Sequence, residues 1–106
     1  MKKLLTILIA VILPHVVVAA EHPRVLSDMD AALYEQIFAL QSKEKIDTAM
    51  RVENQIADKL LMNEVLYQRY FSDTYRTRGK EVAAWMEKYY DMPGANRMAK
   101  LAKIKK

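Results

Sequence analysis

Leu60 to Tyr90, LLMNEVLYQRYFSDTYRTRGKEVAAWMEKYY, is the stretch that decides the fold. It reads as two helices joined by a short polar link. Placing each residue about 100° around an ideal helix separates the two in character. In the first, Leu60, Leu61, Met62, Val65, Leu66, Tyr67, Tyr70 and Phe71 point almost everywhere, with polar Asn63, Glu64, Gln68 and Arg69 scattered among them. A helix that is apolar nearly all round needs neighbours on several sides. In the second, Val82, Trp85, Met86, Tyr89 and Tyr90 form one stripe, opposite Lys80, Glu81, Glu87 and Lys88. An inner helix followed by an outer one is the pattern of helix-hairpin arrays.

The flanking sequence extends the pattern in both directions. Ser27, three residues before Asp30, predicts a capping-box-like start in which Asp stands in for the usual Glu. The helix it opens runs to about Gln41, with Met29, Leu33, Ile37 and Leu40 on one face and Tyr34 and Phe38 beside them. After the polar break at 42–45, a second helix is expected over Glu44 to Ala57, with Ile46, Ala49, Met50, Val52, Ile56 and Ala57 inward. Asp58 is a suitable cap for a third helix, Lys59 to Phe71, and Thr77 for a fourth, Arg78 to Tyr90. Asp91-Met92-Pro93-Gly94 reads as a turn. A fifth helix, Ala95 to about Lys103, turns Met98, Leu101 and Ala102 one way and Ile104 the other. No segment alternates with period two for long. The expected fold is therefore all-α: about five short antiparallel helices over residues 21–106, as a helix-hairpin repeat module.

Residues 1–20 read differently. Met1-Lys2-Lys3 is a basic start, Leu4 to Leu13 is apolar apart from Thr6, and Val18 and Ala20 are the small residues a signal peptidase reads. This predicts a signal peptide cleaved after Ala20, and a bacterial periplasmic destination. The apolar run is shorter than the ~20 residues of a spanning helix and is interrupted by Pro14, so no stable membrane span is expected after cleavage. A bundle held in the membrane by an uncleaved segment is the competing reading. Loss of Lys2 and Lys3 leaves fifteen basic residues against thirteen acidic, a net charge of +2. That is too weak to point to nucleic acid. The chain has no cysteine. An exported domain of this size without disulfides is held by packing alone and is marginally stable.

Little in the sequence supports catalysis. His15 lies in the signal peptide and His22 in the lead before the first helix, so no Ser-His or Cys-His pair and no zinc site is expected. Gly79 and Gly94 are isolated, which excludes a glycine-rich phosphate loop. No cofactor is expected. Glu64, on the mostly apolar third helix with Gln68 and Arg69 near it, is the one carboxylate worth weighing as a general acid; the alternative is a carboxylate at a helix seam or solvated edge. Tyr67, Arg69, Tyr75 and Arg76 are the candidate surface for a glycan or protein partner, because aromatic faces beside arginine suit both. Arg69 also falls between Met62 and Val65 and so calls for a buried partner, with Glu64 or a backbone carbonyl as options.

Taken together, Leu60-Leu61-Met62, Val65-Leu66, Gln68-Arg69-Tyr70, Tyr75-Arg76-Thr77, Trp85 with Tyr89, and Asp91, Pro93, Ala95, Arg97-Met98 and Leu101-Ala102 resemble the N-terminal region of soluble lytic murein transglycosylases of the alphaproteobacterial type. The likeness includes Leu26-Ser27-Asp28 and Ala31 to Tyr34, and spans most of residues 26–102. It implies a superhelical array of helix hairpins, an association with peptidoglycan, and no catalytic residue. In that family a separate lysozyme-like domain carries the catalytic glutamate, and no segment of that type is present here. The expectation is a non-catalytic scaffold or interaction unit near peptidoglycan or a cell-wall enzyme, with uncovered surface available for self-association. The alternative is a small periplasmic inhibitor or protein-binding protein that uses an aromatic–arginine edge.

Overall fold

Ser27 opens the first helix by accepting the backbone N–H of Asp30 on its Oγ at 3.0 Å. The computed structural model describes residues 25–105. The fold is all-α: α1 (Asp28–Ser42), α2 (Ile46–Glu53), α3 (Met62–Tyr70), α4 (Gly79–Tyr89) and α5 (Ala95–Ile104), with a 3-10 turn at Lys59–Leu61 leading into α3. No strand occurs among the described residues. The expected signal peptide, residues 1–20, lies outside them.

α3 is the shared element. Its Met62 and Val65 complete a first core with Leu33, Tyr34 and Ile37 of α1, Ala49 and Val52 of α2, and Ile56. Its Tyr70 belongs to a second core with Val82, Trp85 and Met98, and Leu66 packs against both. This is why the α3 sequence is apolar on almost every side. α1 packs on α2 and α3, while α4 packs on α3 and α5. Two hairpins thus flank one central helix.

The ends of the helices differ from the expected ones for definable reasons. α2 begins at Ile46 because Glu44 adopts a left-handed φ of 63°. The N–H groups of Lys43, Glu44 and Lys45 fold back on the carbonyls of Leu40 and Gln41. That conformation costs about 1 kcal/mol for a side-chain-bearing residue. It aims the Glu44 carboxylate at the hydroxyls of Ser72 and Thr74, which donate at 2.5 and 2.6 Å and hold it below the usual carboxylate range. α2 ends at Glu53, where three successive i→i+3 bonds tighten the chain through Ile56. Met50, expected inward, is exposed because Ile46, Ala49 and Val52 fill the short inner face.

The carboxylate of Asp30 does not close a capping box. It is buried and accepts the N–H groups of Ala57 and Asp58 at 3.1 and 2.9 Å, pinning the α2–α3 link. Asp58 caps the 3-10 turn, accepting Leu60 N–H at 3.0 Å, and α proper starts only at Met62. Thr77 does not cap α4 but donates its hydroxyl to the Tyr70 carbonyl at 2.9 Å. Arg78 takes the cap position, its N–H donating to Glu81 Oε1 at 2.9 Å. Tyr90, expected in the α4 stripe, follows the last helical residue and is 70% exposed.

Candidate functional site

α3 presents a cleft on the side its two hairpins leave open. The cleft measures about 540 Å³ and is lined by Phe38 of α1, by Asn63, Glu64, Tyr67 and Gln68 of α3, and by Pro93 and Gly94 of the α4–α5 turn. Asn63, Glu64, Tyr67 and Gln68 come together because i, i+1, i+4 and i+5 share one side of a helix. Gly94 closes the far wall with a φ of 95°. A Cβ there would stand 2.5 Å from Cε2 of Tyr67, so glycine is required by both backbone and space.

Tyr67 is held from both sides. Its ring lies 4.8 Å from Phe71 and 6.2 Å from Trp85, centroid to centroid. Arg97 donates to its hydroxyl at 3.2 Å, and the same guanidinium sits 4.4 Å from the Phe71 centroid. Asn63 is 4% exposed, and its backbone carbonyl accepts Trp85 Nε1–H at 3.0 Å. Its carboxamide has no hydrogen bond, yet no buried side-chain polar atom is left unpaired. The amide atoms therefore keep slight exposure, and Asn63 lines the cleft. Glu64 is exposed there and forms no ion pair. Beneath it Gln68 is fixed, accepting from Gln41 Nε2 at 2.7 Å and donating to the Phe38 carbonyl at 3.3 Å. The result is an aromatic wall, one free amide and one free carboxylate, the composition of a site that orients a polar ligand over an apolar surface.

The four surface candidates separate. Tyr67 lines the cleft. Arg69 does not reach the surface: it is 3% exposed, donates Nε–H to Gln41 Oε1 at 2.8 Å and pairs with Glu53. The buried partners of Arg69 are thus Gln41 and Glu53, and not Glu64. Gln41 Nε2 also donates to the Val65 carbonyl at 3.0 Å, so this cluster locks α1, α2 and α3 together. Tyr75 is half-buried and donates its hydroxyl to Glu81 Oε2 at 2.5 Å. Burial first, and the bond to Glu81 second, push its phenol up. Arg76 is exposed, beside Ile104 and Lys105 in a shallow depression away from the cleft.

Sequence reasoning missed Asn63 and Arg97 as site residues. The signal for Asn63 was its position four residues before Tyr67, on the same side of α3. The signal for Arg97 lay in the turn, because the geometry of Gly94 sets where α5 starts. Among the described residues, no group of three or more His, Cys, Asp or Glu side chains is placed to hold a metal ion. No described helix is long and apolar enough to cross a membrane. No protein-family model, curated protein or solved structure matches this chain.

Proposed function

We propose that this chain is an exported helical-repeat module of the bacterial envelope, related to the N-terminal region of soluble lytic murein transglycosylases, that holds a peptidoglycan glycan strand without cleaving it. The observation that carries the reading is the α3 cleft, where the free amide of Asn63 and the free carboxylate of Glu64 stand beside the Tyr67 ring. A sugar offers an apolar C–H face to an aromatic ring and hydroxyls to amide and carboxylate groups at its edge. The apolar, basic-led residues 1–20 support export, and the spaced residues of 26–102 support the link to cell-wall enzymes. Glu64 is exposed and lacks the burial that general-acid work on a glycosidic bond draws on. Binding without turnover is therefore the reading for this chain.

The test is co-sedimentation with purified peptidoglycan sacculi, with release of soluble sugar measured in the same tubes. Binding that falls about tenfold in Tyr67→Ala, with no sugar release, is expected. Protein that stays in the supernatant, or a Tyr67→Ala variant that binds as well as the parent, overturns the reading. A second reading, a periplasmic inhibitor or protein-binding protein, has its own support in the Arg97 guanidinium stacked on Phe71 beside Tyr67. It predicts that Arg97→Ala abolishes capture of a wall enzyme while sacculus binding is absent from the start.

A further inference from the structure

Among the described helices, the first and the last carry opposite charge. α1 holds Asp28, Asp30 and Glu35 and no Lys or Arg; α5 holds Arg97, Lys100 and Lys103 and no Asp or Glu. They contribute to different cores. No ion pair joins them among the described residues. Asp28, Glu35, Lys100 and Lys103 thus have no ion-pair partner among the described residues.

Each helix also shows a coherent outer face. On α1, Asp28, Ala31, Ala32, Glu35 and Ala39 are exposed on one side. Two turns separate the carboxylates, about 10 Å along the axis. The alanines between them let another helix approach closely. Alongside runs a groove of about 460 Å³ whose lining includes Leu26, Ala31, Ala32, Phe38 and Leu61. On α5, Arg97, Lys100, Lys103 and Ile104 fall within about one third of the helix circumference. All four are exposed, and Ile104 is 74% so. An apolar knob set among cations thus faces outward from α5, and an apolar groove edged by carboxylates runs along α1.

We propose that α5 of one copy docks on the α1 groove of a second copy, head to tail. Ile104 enters the groove against Ala31, Ala32 and Phe38, while Lys100 and Lys103 lie along Glu35 and Asp28. A second copy is the occupant because the chain itself carries the cationic helix with an exposed apolar residue that the groove requires. The contact is heterologous, so a docked pair leaves one free groove and one free α5, and the assembly grows rather than closing as a pair. It sets the α4–α5 hairpin of one copy beside the α1–α2 hairpin of the next. One helix on one groove is at the small end of protein interfaces, so the association is weak and sensitive to salt. The glycan reading is not needed for this, since the Tyr67 cleft shares only Phe38 with the groove.

Sedimentation equilibrium on the full chain, expressed with its own N-terminal segment and purified as the cell leaves it, tests the proposal. At low salt the average mass should climb with concentration past the dimer, and at about 0.5 M salt it should return toward the monomer. The α1 variant Asp28→Lys/Glu35→Lys and the α5 variant Lys100→Glu/Lys103→Glu should each stay monomeric. Combined in one chain they should associate again to within about threefold of the parent, because the charges are then exchanged; mixed as two chains they should pair through the one parental contact the mixture restores, α5 of the first on α1 of the second. Tyr67→Ala should associate like the parent whatever it does to sacculus binding. Circular dichroism checks that each variant keeps its helices; a variant that unfolds is replaced by Glu35→Gln or Lys103→Gln, each expected to weaken association. A parent that stays monomeric at low salt, reversed variants that associate unchanged, or an exchanged pair that does not recover would each overturn the proposal.

Discussion

Replacing Asp30 with asparagine tests how the first half of the molecule is tied together. The carboxylate is buried and accepts two backbone N–H groups, from Ala57 and Asp58. Hydrogen bonds to a charged group contribute about 1.5–3 kcal/mol each. Asparagine keeps one acceptor and turns its NH₂ toward the second N–H, so one bond is lost and a buried donor is left unpaired. The expected cost is about 2–3 kcal/mol. A domain of this length has about 4–12 kcal/mol in all, so the loss is a large part of it. Urea unfolding followed by circular dichroism should show the midpoint falling by about 2 M at unchanged slope. Ser27→Ala removes a different bond, the one to the Asp30 backbone N–H, and should cost about 1 kcal/mol. Because the Asp30 side chain does not bond Ser27, the two costs should add to within about 0.5 kcal/mol in the double variant. An Asp30→Asn cost below about 0.5 kcal/mol would refute the argument. Coupling above about 1 kcal/mol would also refute it, by returning Asp30 to the capping box.

Gly94→Ala should cost about 2 kcal/mol, combining a disfavoured φ with a clash against Tyr67. In a Tyr67→Ala background the same change should cost visibly less in a thermal melt. Glu53→Gln should destabilise by about 3 kcal/mol by leaving the buried Arg69 charge without its counter-ion; Arg69→Met should cost less, because Glu53, 23% exposed, can rehydrate. Chemical denaturation ranks the two. Burial, reinforced by the charge of Glu81, pushes the Tyr70 phenol up to about 12. The folded state keeps that proton while the unfolded chain releases it near 10, so stability is intact below pH 10 and falls as pH rises toward 12. Tyr70→Phe should remove about 2 kcal/mol of that alkaline loss, read as a flatter profile of stability against pH.

Periodicity made the helices legible, and the partners of their polar residues stayed hidden. Ser27 as a cap, the all-round apolar α3 and the outward Ile104 were all visible as angles around one helix. Glu44, Asp30, Thr77 and Arg69 were misread for a common reason. Each bonds to a group 7 to 30 residues away, and spacing within a helix carries no information about that. Arg69 illustrates it: its angle between Met62 and Val65 foretold burial, but its partners Gln41 and Glu53 sit on other helices. The cleft was half-visible for the same reason. Tyr67 could be named from its own helix, whereas the wall opposite depends on where Gly94 turns the chain.

The position of α3 gives the two halves different ways of holding together. Toward α1 and α2 it is bound by directional bonds: Gln41 to Val65 and Gln68, Arg69 to Gln41 and Glu53, Tyr34 to Asp58 and Leu61. Toward α4, α5 and the link before them the contact is mostly rings, with three bonds, Trp85 to Asn63, Arg97 to Tyr67 and Thr77 to Tyr70. A chain emerging amino end first can complete the first set before the second hairpin exists. α4 and α5 then close onto a finished template.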